Sequence, residues 1–137
     1  MILYKRDLVD VDWTTLKQTL HDDDFDNGRT PEQLRRSFEN SYGVCFACDE
    51  ATIIGKARVL SDGVCNAYIV DVWTLSAYRH QGIARQMLDL LLRDLHGQHV
   101  YLWTDDSVDF YKKIGFVERP FGLEKVIGEW LVNKPAE

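Results

Sequence analysis

Long apolar runs are absent from this 137-residue chain. A helix that crosses a bilayer needs about 20 consecutive, mostly apolar residues, and no stretch of the sequence approaches that length. The N-terminal segment MILYKRDLVDVDW also lacks the apolar core of a secretory signal peptide and carries acidic residues early. We therefore expect no association with a membrane and a cytoplasmic location.

Positive charge is also in short supply. The chain has 16 Lys and Arg against 22 Asp and Glu, a formal net charge of −6 at pH 7. Proteins that bind a phosphate backbone usually present an excess of basic residues, so we expect no nucleic-acid partner. Neither of the two glycine-rich phosphate loops, G-x-x-x-x-G-K and G-x-G-x-x-G, occurs.

Cysteine is scarce, with three in the chain: Cys45, Cys48 and Cys65. The first two match the C-x-x-C spacing of redox and zinc sites. However, they lie in YGVCFACDEATIIGKARVL, which has the pattern of two strands, and residues three apart on a regular strand point to opposite faces. A dithiol or a zinc site needs converging sulfur atoms. We interpret these cysteines as small apolar residues of the core and expect no metal site.

The composition that remains is that of one globular domain. Hydrophobic residues make up 45% and charged residues 28%, and a chain of this length can bury a core as a single domain, residues 1–137. Asp12 is a suitable N-cap for a helix over 12–21. Thr30, Pro31 and Gln33 form the start signal of a second helix, a capping box with proline in the first turn.

The remaining pattern alternates strands and helices. Strand-like runs cover 43–49, 51–60 and 65–75. They are followed by a long amphipathic helix (81–96), a strand (99–104), a short helix (105–116) and a last strand (122–132). The order predicts the α+β class, an α/β sandwich with a mixed, mostly antiparallel sheet flanked by helices. Strand 65–75, helix 81–96 and strand 99–104 predict a βαβ crossover.

The joint YRHQGIAR, between the third strand-like run and the long helix, lacks the Ser, Thr, Asp or Asn that usually caps a helix. A helix start leaves backbone N–H groups unpaired and carries partial positive charge, so an uncapped start can bind an anion. Gly82 and Ala84 leave room for a close approach, and Arg79 and Arg85 can add charge-assisted bonds. Tight packing of the turn is the alternative interpretation of the glycine.

Two motifs in this order resemble one family. The spacing R-x-x-G-x-A in RHQGIA is similar to motif A of the GNAT superfamily of acetyltransferases, and DFYKKIGF resembles that family's second signature, a helical Tyr shortly before a Gly-Phe pair. The stretches ARVLSDGVCNAYIVDVWTLSAYRHQGIA and DFYKKIGFVERPFGL are also similar to a subgroup that includes plant and cyanobacterial arylalkylamine acetyltransferases. The sequence departs from the family at two places. The family often has Pro where this chain has Ala77, and it often has Asn near the end of the fifth strand, where this chain has Thr104 and Asp105.

The resemblance implies a fold, a co-substrate and a site. The GNAT fold would span nearly the whole chain, and the uncapped joint would hold the pyrophosphate of acetyl-coenzyme A. The main chain near Trp73 to Leu75 would leave its neighbouring strand and offer N–H groups to the pantetheine and the acetyl carbonyl. The positions thereby assigned to the cofactor are Trp73, Thr74, Leu75, Arg79, His80, Gln81, Gly82, Ile83, Ala84, Arg85 and Tyr111.

Two residues are candidates for proton transfer. Tyr111 matches the family's general acid, and a phenol can donate a proton to a leaving thiolate; it could also be only a core aromatic residue. Asp71 is the charged residue within AYIVDVW, where apolar neighbours would raise its pKa and suit it to act as a base. A structural role for Asp71 is the alternative. His21 and Glu32 are weaker candidates for the base.

The acceptor is the least determined part. The loop sequence HDDDFDNG would attract a cationic amine, and Trp13, Phe25 and Trp73 could line an aromatic pocket. We therefore expect an N-acetyltransferase that moves an acetyl group from acetyl-coenzyme A to a primary amine of a small molecule, by direct attack in a ternary complex. The alternatives are a protein or peptide N-acetyltransferase and a non-catalytic module that senses acetyl-coenzyme A. The resemblance also allows for a homodimer through the last strand.

Overall fold

A computed structural model describes residues 1–130, and its centre is a sheet with helices on both faces. The strands are β1 (Ile2–Lys5), β2 (Gly43–Asp49), β3 (Thr52–Ser61), β4 (Asn66–Thr74) and β5 (His99–Tyr101). The helices are α1 (Trp13–Asp22), α2 (Pro31–Glu39), α3 (Ile83–Arg93) and α4 (Val108–Lys113), and a single 3₁₀ turn covers Ser76–Tyr78.

The sheet has the order β1-β2-β3-β4-β5. The first three neighbouring pairs are antiparallel, and β5 lies parallel to β4 after the crossover through α3. The predicted class, the mixed sheet and the βαβ unit are therefore confirmed. Among the described residues no helix is long and apolar enough to cross a membrane.

Each face of the sheet carries its own apolar core. On one face α3 packs through Ile83, Met87, Leu88 and Leu91, all at most 3% exposed. On the other face α1 and α2 pack through Leu16, Leu20, Leu34 and Phe38. These residues recur at helical spacing, so each helix buries one stripe and leaves its charged side in water. The sheet is thereby fixed between two helical layers. Within residues 1–130 the carboxyl-terminal half of β4 has no strand partner on the β5 side.

The predicted helix starts are confirmed in detail. The Asp12 carboxylate accepts a hydrogen bond from the backbone N–H of Thr15 at 3.0 Å. In α2 the Thr30 hydroxyl accepts from the backbone N–H of Gln33, and the Gln33 side chain accepts from the backbone N–H of Thr30. Such reciprocal caps satisfy backbone donors that a helix start leaves unpaired.

Three expectations about element lengths are corrected. The fifth strand ends at Tyr101 rather than at residue 104, because the chain there turns away from β4. The long helix begins at Ile83, because His80 and Gly82 both have positive φ, which a helix cannot accommodate. The predicted last strand, 122–132, is wrong over 122–130, where the chain pairs with no strand; residues 131 and 132 lie outside the described range.

Candidate active site

The start of α3 has no side-chain cap, as predicted. Gly82 is the N-cap, with φ +80°, a backbone conformation that favours glycine. A Cβ built on Gly82 would meet no other atom within 4 Å, so the space beside the first turn is open. Because α3 spans Ile83–Arg93, three full turns of aligned peptide dipoles end here. This helix start can accept an anion.

The segment that leads into α3, residues 79–82, is called the entry loop, and its side chains are exposed. Arg79 is held in place: its Nε donates to the Thr74 carbonyl oxygen at 3.1 Å, and its guanidinium lies 5.0 Å from the centre of the Phe25 ring. Arg79 also lies 3.6 Å from a carboxylate oxygen of Asp23. Arg85, one turn into α3, is exposed beside the same helix start.

A cleft opens where β4 and β5 separate. The two strands pair only from Asn66 to Tyr68 against His99 to Tyr101, while β4 continues to Thr74 without a partner on that side among residues 1–130. The cleft has a volume of about 570 Å³ and runs from the entry loop to Tyr111. The expected separation of the strands is therefore present, and it leaves backbone groups of β4 available to a ligand.

One atom in this cleft supports a polar ligand. The Thr74 hydroxyl oxygen is buried and has no hydrogen-bond partner in the part of the chain that the structure describes, and Thr74 lines the cleft. Buried polar groups are nearly always satisfied. An amide of an extended ligand lying along β4 would satisfy this hydroxyl, and the pantetheine arm of coenzyme A carries such amides. The cleft therefore fits the cofactor that the sequence predicts.

Tyr111 also lines the cleft. It lies on α4, is 9% exposed and packs edge-to-face against Phe110 and Phe116 at ring-centre distances of 5.0 and 5.8 Å. Burial, and secondarily the nearby charge of Asp106, raises the pKa of its phenol. Tyr111 therefore stays protonated at neutral pH and can donate a proton. It is a core aromatic residue and a cleft residue at once.

Asp71 lies at a bulge in β4. Arg58 pairs with Val70 and Lys56 with Trp73, so Asp71 and Val72 together face one residue of β3. Asp71 has a φ of +60°, an uncommon conformation for a residue with a side chain. The bulge changes which face the following residues occupy, and it stands immediately before the unpaired end of β4.

The environment of Asp71 is charged rather than apolar. Its carboxylate accepts hydrogen bonds from both terminal nitrogens of Arg29, at 2.8 and 3.0 Å, and from Arg58 and Lys56. We call these four residues the charge cluster. The Phe38 ring lies about 6 Å from the charged groups of Lys56 and Arg58, a distance at which an aromatic face attracts cations.

The expected rise in the pKa of Asp71 is therefore wrong. Burial by itself raises the pKa, but the charges of Lys56, Arg29 and Arg58 and the hydrogen bonds from Arg29 outweigh it and hold the pKa well below the usual range. Burial, together with Arg29 and Arg58, conversely lowers the pKa of Lys56. A carboxylate so strongly stabilised is a poor proton acceptor. The environment of Asp71 therefore does not favour it as the base.

Part of this cluster could have been predicted from the sequence. Lys56 and Arg58 stand two apart in IIGKARVL, so they share one face of β3, and two inward cations require an anion nearby. Arg29 had no such signal. His21 and Glu32, the weaker candidates for the base, are exposed and do not line the cleft.

The loop between α1 and α2, residues 23–30, is called the α1–α2 loop. Three of the four aspartates in HDDDFDNG are engaged in contacts. Asp22 accepts a hydrogen bond from Gln18, Asp26 pairs with Lys17, and Asp23 accepts hydrogen bonds from Trp73 and Ser76. The expected attraction of an amine by this sequence is thereby reduced. Phe25 and Trp73 line the cleft, whereas Trp13 packs against Phe38 and Phe46 in the core.

The cysteines occupy different places, as predicted. Cys45 is fully buried in the core on the α3 side, and Cys48 packs on the α1–α2 side, so their sulfur atoms do not converge. Burial raises the pKa of the Cys45 thiol to about 11. Within residues 1–130 no group of His, Cys, Asp or Glu could hold a metal ion.

The fold places an uncapped helix start beside an open cleft between two separated strands. A model of the "Acetyltransferase (GNAT) family" matches residues 6–116. The chain therefore belongs to the GNAT acetyltransferase family, whose co-substrate is acetyl-coenzyme A.

Curated relatives extend beyond this chain. "Serotonin N-acetyltransferase 2, chloroplastic" from Oryza sativa subsp. japonica is 31% identical over 100 residues, which cover 67% of this chain and 50% of the relative. "Histone acetyltransferase TAP1" from Glycine max is 32% identical over 89 residues, 62% of this chain and 38% of the relative. The chain thus spans half or less of the length of these two relatives.

Solved structures share the fold. "Acetyltransferase, GNAT family protein SP0256" from Streptococcus pneumoniae TIGR4 has a TM-score of 0.79 at 23% identity and covers 94% of this chain and 100% of its own. A Clostridium acetobutylicum structure described as "predicted acetyltransferase with acetyl-CoA" has a TM-score of 0.70 at 24% identity, covering 92% of this chain and 96% of its own.

Proposed function

We propose that this domain transfers the acetyl group of acetyl-coenzyme A to a primary amine of a small molecule, by direct attack in a ternary complex. The observation that carries the proposal is the continuity of the site. The uncapped start of α3 and the buried side chain of Tyr111 line one and the same cleft between β4 and β5.

The chain's own groups suit each part of the cofactor. Backbone N–H groups at Gly82, Ile83 and Ala84 would hold the pyrophosphate, with Arg85 adding charge. The unpaired end of β4 and the Thr74 hydroxyl would hold the pantetheine arm, and main-chain donors of β4 would polarise the acetyl carbonyl. When bound, acetyl-coenzyme A supplies a thioester carbon open to attack and a thiolate as the leaving group.

Proton transfer is divided between Tyr111 and water. The amine nitrogen forms a bond to the acetyl carbon as the carbon–sulfur bond breaks, so one proton must leave the nitrogen and one must reach the sulfur. Tyr111 donates the proton to the sulfur, because a phenol is protonated at neutral pH and Tyr111 lines the cleft. Asp71 is too strongly stabilised as an anion to accept the other proton. The amine therefore loses that proton to water, which reaches the open cleft.

The walls of the cleft favour a small amine with an aromatic group. Phe25, Tyr68 and Trp103 line the cleft and are 48%, 39% and 68% exposed, and exposed aromatic rings can stack on a flat ligand or on a cation. The exposed residue Asp106 also lines the cleft, and its carboxylate can attract the incoming ammonium. The name of the rice relative, a serotonin N-acetyltransferase, agrees with this class of acceptor.

Acetylation of a protein is the second candidate, because the soybean relative is named a histone acetyltransferase. A panel of arylalkylamines, polyamines, amino acids and lysine peptides, assayed by thiol release from acetyl-coenzyme A, separates the two. We expect the highest kcat/KM with an arylalkylamine. A preference for lysine peptides would establish the second candidate, and cofactor binding without turnover on any acceptor would indicate a sensing module.

Two further expectations stay predictions. A cytoplasmic location is one, and the rice relative is by contrast named chloroplastic. A homodimer is the other, and light scattering after size-exclusion chromatography measures its mass directly.

A further inference from the structure

The carboxylate of Asp23 joins two parts of the molecule that are far apart in sequence. Asp23 follows α1 directly and begins the α1–α2 loop, yet its side chain is 10% exposed and faces the end of β4. One carboxylate oxygen accepts a hydrogen bond from the indole N–H of Trp73 at 3.0 Å. Both oxygens lie within 3.3 Å of the backbone nitrogen of Ser76, which donates to them.

These contacts supply a cap that the local sequence lacks. The 3₁₀ turn Ser76–Tyr78 has no side-chain cap of its own, since Leu75 occupies the capping position. The carboxylate of Asp23, 53 residues earlier in the chain, accepts from its first N–H in place of a local residue. The turn is therefore anchored from the α1–α2 side of the sheet.

The same carboxylate also faces Arg79, at the beginning of the entry loop, at 3.6 Å. Trp73, Ser76 and Arg79 mark the start, middle and end of the segment that leads from the cleft to the helix start that would bind pyrophosphate. A single buried side chain contacts all three. Burial raises the pKa of Asp23, but hydrogen bonds from Ser76 and Trp73 and the charge of Arg79 outweigh it, and the net shift is downward.

We propose that Asp23 is a positioning residue for acetyl-coenzyme A, which fixes residues 73–79 in the geometry that the cofactor meets. The inference rests on the proposed function, because it assumes that this segment binds the cofactor. Positioning and simple charge repulsion predict opposite changes in the affinity for acetyl-coenzyme A when Asp23 is removed. A carboxylate near a polyanion repels it, so charge alone predicts that removal of Asp23 strengthens binding. Positioning predicts that removal weakens binding.

Isothermal titration calorimetry with acetyl-coenzyme A tests the sign directly. We expect the Asp23→Ala variant to bind about tenfold more weakly than the wild type, which corresponds to the loss of one charge-assisted hydrogen bond. Asp23→Asn should lose less, because the amide oxygen can still accept one of the two bonds. The matched control is Asp22→Asn, because the Asp22 side chain is 67% exposed and its polar partners within the described residues are Gln18 and His21. The affinity of this variant should equal that of the wild type.

Steady-state kinetics distinguishes positioning from general damage to the fold. Positioning raises the KM for acetyl-coenzyme A and leaves kcat nearly unchanged, whereas partial unfolding lowers kcat and leaves KM unchanged. If Asp23→Ala does not fold, Asp23→Asn decides, since charge alone predicts tighter binding and positioning predicts weaker binding. Equal or tighter binding by a folded Asp23 variant would overturn the inference. If the wild type itself failed to bind, the proposed function would fail instead.

Discussion

The charge cluster contains three basic side chains and one acidic side chain. Loss of the single negative charge should therefore destabilise the fold more than loss of one positive charge. One carboxylate, Asp71, is shared by Arg29, Lys56 and Arg58, and all four side chains are at most 13% exposed. The substitution Asp71→Asn preserves the shape of the side chain and one acceptor oxygen. It removes the negative charge that the three buried cations share.

We expect Asp71→Asn to lower the free energy of unfolding by a large amount for a single isosteric substitution. Breaking a buried ion pair from one side costs about 3–5 kcal/mol, because the remaining charge is left buried without compensation. For a domain of this size that is roughly 10–20 °C in Tm. Urea denaturation followed by far-UV circular dichroism measures the change in the free energy of unfolding.

The matched change on the other side of the cluster is Lys56→Met. Burial, together with the charges of Arg29 and Arg58, already disfavours the charged form of Lys56. Its removal loses the contact with Asp71 but relieves repulsion among the cations. We expect a cost below about 1.5 kcal/mol. The reasoning is refuted if Asp71→Asn costs less than about 1 kcal/mol, or if Lys56→Met is as destabilising as Asp71→Asn.

Two further predictions concern pH and catalysis. The pKa of Asp71 in the folded state lies below its ordinary value of 3.8, so its contribution to stability is present above that pH and is lost as pH falls. The difference in unfolding free energy between the wild type and Asp71→Asn should therefore narrow below about pH 4 in urea titrations. A difference that does not change with pH would contradict this role of Asp71. Tyr111→Phe should lower kcat about 100-fold while the KM for acetyl-coenzyme A stays near its wild-type value. The control is Tyr42→Phe, which should have no effect, because Tyr42 is 50% exposed and lies outside the cleft. Unchanged turnover in Tyr111→Phe would show that another group donates the proton.

Much of the fold was predictable because its signals are local. The capping box at Thr30 and Gln33 lies within four residues, and the apolar stripe of α3 repeats within one helix. The missing cap at Gly82 is equally local, so the anion site could be predicted from residues 79–85. The two family motifs then identified the cofactor, which the anion site alone does not.

The error about the pKa of Asp71 and the missed contacts of Asp23 both involve residues that are distant in sequence. The sign of the pKa shift at Asp71 depends on Arg29, which is 42 residues away, and no spacing rule connects the two. The capping of Ser76 by Asp23 spans 53 residues. The predicted strand 122–132 shows the same limit. Apolar residues such as Val126 and Ile127 favour a strand, but a strand forms only where a neighbouring strand supplies hydrogen bonds.

The central claim is that the uncapped start of α3 binds acetyl-coenzyme A, and two glycines allow a matched test. Gly82 and Gly97 have φ values of +80° and +85°, and a Cβ on either would meet no other atom within 4 Å. Substitution by Ala therefore imposes a similar backbone strain at both positions, about 1 kcal/mol. Only Gly82 lines the cleft.

Calorimetric titration of acetyl-coenzyme A into the wild type, Gly82→Ala and Gly97→Ala is the most direct measurement. We predict one equivalent bound by the wild type and by Gly97→Ala with similar affinity, and binding about tenfold weaker or more in Gly82→Ala, where the new Cβ projects beside the open N–H groups. An absence of binding heat with the wild type, or equal weakening in both glycine variants, would contradict the account.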